Sequence, residues 1–106
     1  MHTEYDPLVL VQNESVLTAR AAKHDAAGDL VQLYVAPPAT YSESTGAPYG
    51  AGHCVFSDEQ REGLISTLNA WVRDQDYPVP SGVAARFGPG LDPAFTPAAW
   101  PAATER

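Results

Sequence analysis

Hydrophobic and polar positions along the chain mark out a short series of elements. Leu64, Ile65, Leu68, Trp71 and Val72 recur at the spacing of one helical stripe, which predicts an amphipathic helix over Asp58–Arg73 with that stripe buried. Its start is written locally. Ser57 stands at the N-cap position with Gln60 three residues on, a capping box, and Asp58 and Glu59 place negative charge against the positive end of the helix dipole. The residue before Pro78 is biased away from helix, which ends the element. A second helix is predicted over Glu14–Ala27, rich in alanine, with Lys23 and His24 in its last turn and Gly28 as the residue after its end. Only Val16 and Leu17 add bulk to its apolar face, so it should be partly exposed.

Leu30–Ala36 is a nearly continuous apolar run with β-branched and aromatic residues, bounded by Gly28-Asp29 and Pro37-Pro38. That is the pattern of a strand covered on both faces in a parallel sheet. Met1–Tyr5 reads as the end of another strand, which starts abruptly, as if more chain preceded it. Residues 37–52, dominated by Pro, Ala, Ser, Thr and Gly, read as a long loop. Six of the ten prolines fall after Tyr77, with glycines at 82, 88 and 90, so residues 78–106 read as an extended or coil tail attached to a section spanning 1–77. Phe87, Phe95 and Trp100 are its candidate anchors. The order strand, helix, strand, loop, helix is an α/β pattern with a βαβ unit at its centre. Two strands leave edges and faces uncovered, which calls for a partner polypeptide or a larger sheet.

Composition narrows the function. The 106 residues allow one domain. Thirteen acidic against six basic residues give a net charge of −7, and the basic residues are scattered, which argues against nucleic acid as a partner. No apolar run approaches the length of a membrane span. The single cysteine, Cys54, excludes an intrachain disulfide and is expected to pack behind His53 as a small buried thiol. On an extended strand His2, Glu4 and Asp6 share one face, a weak pattern for a metal, and neither a metal nor a cofactor is expected. Trp71 is expected in the core and His24 as a solvated partner of the helix dipole. Compartment is not indicated.

Asp6 and His53 stand out by position. Asp6 follows the first strand and His53 immediately precedes the capped helix, so both fall beyond strand ends, where open α/β sheets carry their ligands and catalytic groups. An acid that takes the Nδ1 proton of an imidazole leaves Nε2 as a general base. Each residue also has an ordinary structural reading, Asp6 as a turn-former and His53 as a loop residue.

The segments His-Thr-Glu-Tyr-Asp-Pro-Leu-Val at 2–9 and Gly-His-Cys-Val-Phe-Ser-Asp-Glu-Gln at 52–60 resemble the C-terminal part of an α/β-hydrolase, in its bacterial esterase-like or tannase-like members. The resemblance spans roughly residues 1–80. It implies a three-layer αβα fold when complete, of which this chain would supply about two parallel strands and two helices. It also implies Asp6 and His53 as the acid and base of a Ser-Asp-His triad. No Gly-x-Ser-x-Gly occurs, since none of Ser15, Ser42, Ser44, Ser57, Ser66 or Ser81 has glycine two residues away on both sides. The expected function is thus part of a serine hydrolase acting on a small-molecule ester or related acyl bond, inactive until a partner chain or upstream domain supplies the nucleophile. The alternative is a non-catalytic remnant or interaction module that pairs with a partner chain or forms a homo-oligomer.

Overall fold

The computed structural model describes residues 1–37, 52–53 and 55–100, and the chain folds as a small α/β unit. Its sheet has two parallel strands, β1 (His2–Thr3) and β2 (Tyr34–Val35), with His2 opposite Tyr34 and Thr3 opposite Val35. Backbone bonds from His2 N to Leu33 O (2.9 Å) and from Glu4 N to Val35 O (3.0 Å) extend the pairing past both ends. The regular part of β2 is shorter than the predicted run, but Leu33, Tyr34 and Val35 are buried, as a strand covered on both faces requires.

Between the strands lies α1 (Asn13–Lys23), shorter than predicted. It stops at His24 because Asp25 turns into the left-handed region (φ 55°), and a 3₁₀ turn over Ala27–Asp29 leads to β2, so Gly28 is not the residue that ends the helix. None of its residues is buried, in keeping with its thin apolar face.

The main helix, α2 (Asp58–Asp74), begins with the predicted capping box: Gln60 N donates to Ser57 Oγ (3.1 Å) and Ser57 N donates to Gln60 Oε1 (2.8 Å). Its buried face is a correction to the expected stripe. Gln60, Gly63 and Thr67 face inward, Leu64 packs beside the core, and Ile65, Leu68 and Val72 are exposed at 59%, 50% and 73%. The cause is a close approach: a Cβ on Gly63 would lie 2.5 Å from the carbonyl oxygen of Arg86, so the chain segment at 84–87 can lie only against the small-residue face. Trp71 is half-buried and makes an edge contact with Tyr77 (ring centroids 5.4 Å) rather than entering the core.

Residues after Tyr77 also differ from the expected coil. Pro80 opens a short helix, α3 (Pro80–Val83), followed by a 3₁₀ turn over Ala84–Phe87. Proline suits the first helical turn, where its missing N–H would have no partner. Phe87 is fully buried and, with Leu33 and Val83, forms the core, against which Met1, Val31, Leu64 and Leu91 pack. Leu91 bridges antiparallel to Val35, with Ala36 N donating to Gly90 O and Asp92 N to Tyr34 O (2.8 Å each). This segment therefore covers the edge of β2 that β1 does not. Among the described residues no strand pairs with the other edge of β1. Most of the predicted loop 37–52, and Cys54, lie outside the described residues.

Candidate acid–base site

Asp6 sits three residues beyond β1, at a turn built by its own side chain. Its Oδ1 accepts hydrogen bonds from the backbone N–H of Leu8 (2.8 Å) and Val9 (2.9 Å), the Asx arrangement that Asp-Pro sequences favour. The other oxygen, Oδ2, lies 2.9 Å from His53 Nδ1. The chain closes 47 residues to make that contact. It is positioned from both sides: Thr3 Oγ1, on β1, donates to Gly52 O (3.0 Å), and Ser57 starts α2 four residues after His53. The residue beside His53 is thus tied to the strand that leads to Asp6.

The two partners are unequally exposed, with the Asp6 side chain at 3% and the His53 ring at 42%. Burial pushes the Asp6 pKa up, but the Val9 and Leu8 amides and then His53 together outweigh it and bring the pKa down to about 2. Asp6 is an anion throughout the physiological range and an acceptor only. Nδ1 of His53 is therefore the donor, which in the neutral imidazole makes Nε2 the basic nitrogen.

Comparison of the chain with protein families, with curated proteins and with solved structures gave no match.

Asp6 lines two cavities. The smaller, about 140 Å³, also touches His53, Val9 and Phe56. The larger, about 630 Å³, lies between Glu4, Tyr5, Leu10 and Val11 on one side and Phe95, Thr96 and Ala98 of the C-terminal segment on the other. Its size suits a small molecule.

Of the three residues considered for a metal, His2 points Nδ1 at Thr3 O (2.7 Å) and Asp6 is committed to His53; among the described residues no cluster suited to a metal ion occurs. Glu4 has a different role from the one its place on the strand suggested. Burial, then a hydrogen bond and the charge of Asp92, push its pKa up from 4.5 to about 7. Asp92 arrives from the far end of the chain, and no local sequence pattern announces the pairing.

Proposed function

We propose that Asp6 and His53 are the acid and base of a Ser-Asp-His triad of α/β-hydrolase type. The chain would be the part of a serine hydrolase that supplies these two groups to a nucleophile borne elsewhere. The observation that carries the reading is the 2.9 Å contact between a buried, amide-anchored carboxylate and an imidazole nearly half open to solvent. That is the division of labour acyl transfer needs: an acid that stays ionised and fixes the tautomer, and a base the reacting groups reach. In the reaction, His53 Nε2 takes the proton of the serine hydroxyl as its oxygen attacks the ester carbonyl. The protonated ring then gives that proton to the leaving alcohol. In deacylation His53 Nε2 takes a proton from water as it attacks the acyl carbon, and returns that proton to the serine oxygen as the carboxylic acid leaves. Asp6 stabilises the imidazolium at both stages.

The nucleophile would come from a polypeptide whose strand lies beside β1. The β2 edge is taken by Gly90–Asp92, and exposed Leu8, Leu10, Ile65, Leu68 and Val72 offer apolar surface for such a neighbour. The same open edge favours the second reading, a module that pairs with a partner or with itself without catalysis.

The test is hydrolysis of a chromogenic ester by this chain alone and together with the polypeptide co-expressed or encoded beside it, with sedimentation of each sample. Activity seen only in the mixture and abolished by His53→Ala supports the triad. A complex that forms without activity, or a homodimer with none, leaves the pairing module as the function.

A further inference from the structure

The cavity of about 630 Å³ beside β1 has a chemistry of its own. Tyr5, Leu10, Val11 and Phe95 give it apolar and aromatic walls, and Glu4 and Asp6 place two carboxyl groups on the same surface. Among the described residues no lysine, arginine or histidine lines it. Val11 and Asp6 are buried while Tyr5, Leu10 and Thr96 are exposed, so buried residues form its floor and exposed ones its rim.

The two acids keep their negative charge in different ways. Asp6 is held as an anion by the amides of Leu8 and Val9 and by a ring N–H of His53, three donors that stabilise the charge without cancelling it while the ring is neutral. Glu4 Oε1 is buried and has no hydrogen-bond partner among the described residues. A buried carboxylate oxygen without a donor is costly, and in folded proteins such atoms are ordinarily matched. The net charge of −7 surrounds both acids with a field of the same sign, which repels anions from the cleft and draws cations to it.

We propose that this cleft binds a small-molecule amine, an ammonium group carried on an apolar or aromatic body, with the ammonium against Glu4 and the body between Tyr5, Leu10 and Phe95. The ammonium supplies both the N–H donor that Glu4 Oε1 lacks and a counter-charge. Aromatic rings attract such a ligand twice, through its apolar body and through its cation. The cavity volume lies within the range of small-molecule sites. A bare metal ion fits worse, because the walls are mainly apolar and the described residues hold no cluster suited to one. Burial first, and then Asp92, raise the Glu4 pKa to about 7, so Glu4 is mostly ionised at pH 8. The assignment needs no nucleophile and does not rest on the acyl-transfer reading.

The experiment is a titration of the full chain at pH 8, followed by proton–nitrogen NMR, with three ligands of similar shape: phenethylammonium, phenethyl alcohol and hydrocinnamate. The amide shifts of Val11, Gln12, Phe95 and Thr96 report the cleft, and those of exposed Asp58 and Asp74 on α2 report unspecific attraction to an acidic surface. Phenethylammonium should saturate the cleft shifts in the millimolar range expected of so small a ligand, about tenfold or more tighter than the alcohol, and hydrocinnamate should not saturate them. Ethylammonium, which carries the charge without the ring, should not saturate them either. Glu4→Gln should bring phenethylammonium down to the affinity of the alcohol. Thr96→Lys, which adds a cation at an exposed rim position and spares the core, should do the same, and it decides the matter if Glu4→Gln does not fold. Equal affinity for the ammonium and the alcohol overturns the proposal. So do ethylammonium binding as tightly as phenethylammonium, shifts as large at Asp58 and Asp74 as in the cleft, or a preference for the ammonium that survives in either folded variant.

Discussion

At Gly63 the helix α2 and the turn over 84–87 come into backbone contact, and replacing Gly63 by alanine tests that packing directly. An added Cβ would lie 2.5 Å from Arg86 O, 2.9 Å from Arg86 C and 3.0 Å from Phe87 Cγ. Two of those atoms are backbone and the third belongs to a fully buried ring, so none can rotate away. The helix and the turn must separate by about 1 Å to reach ordinary contact distances, which loosens the packing of Phe87 on Leu33 and Val83. Overpacking of this kind costs typically 1–3 kcal/mol and sometimes more. Alanine in a helix interior returns about 1 kcal/mol relative to glycine. With a backbone carbonyl as the obstacle the cost falls at the upper end, and the net is a destabilisation of about 1–3 kcal/mol. For a chain of this size that lowers the melting temperature by roughly 5–20 °C. Urea and thermal unfolding followed by circular dichroism measure it. Gly28→Ala is the control, because nothing lies within 4 Å of its Cβ and its φ is not positive, so it should be near neutral. A Gly63→Ala protein as stable as the wild type would refute the packing of α2 on residues 84–87, and with it the account of why the apolar stripe of α2 faces outward.

Ser57→Ala removes one half of the capping box and should cost about 1 kcal/mol in urea unfolding, the usual loss for an N-cap hydroxyl. Asp6 has a folded pKa of about 2, below its ordinary 3.8, so its contribution to stability is complete above about pH 4 and is lost as pH falls through 2; an Asp6→Asn variant should lack that acid limb when urea midpoints are measured from pH 5 to pH 2. Glu4 has the opposite sign: its folded pKa of about 7 stands above 4.5, so stability falls as pH rises from 4.5 through 7. The shift bounds that loss at about 3 kcal/mol and solvent screening reduces it to about 1, which Glu4→Gln should recover at pH 8 in the same assay. If the nucleophile-bearing partner restores ester hydrolysis, Asp6→Asn should lower kcat by about 10⁴, the effect of losing the acid that fixes the tautomer.

What the sequence made legible was local. The capping box of α2 needs only four residues and appears as read. The apolar run before Pro37 is buried where a two-faced strand should be. The buried face of α2 is not legible from hydrophobic spacing, which reports which side chains share a face, not which face another segment can approach. Gly63, with no side chain, decided that, and Ile65, Leu68 and Val72 were left outside. The helical turns over residues 80–87 were masked by the abundance of proline and glycine, although Pro80 at a first helical position was a usable signal. Asp6 and His53 are legible as a pair from their positions at element ends, and they meet at 2.9 Å. The Thr3–Gly52 bond that helps bring them together, and the Glu4–Asp92 contact, join residues too far apart in the chain for any local pattern to show.

The arrangement around Asp6 separates what this chain settles by itself from what a neighbour would add. Its carboxylate is oriented by Leu8 and Val9 from the same turn and by His53 from the loop before α2, with no contribution from outside the chain. The Asp6–His53 pair is therefore organised by contacts within this chain. Since the β2 edge is already occupied by Gly90–Asp92, a neighbouring strand would have the open edge of β1 left to it. If the triad reading holds, substitutions at the exposed apolar residues of α2 should weaken assembly while leaving the Asp6 titration unchanged, because the acid owes its low pKa to contacts those residues do not make.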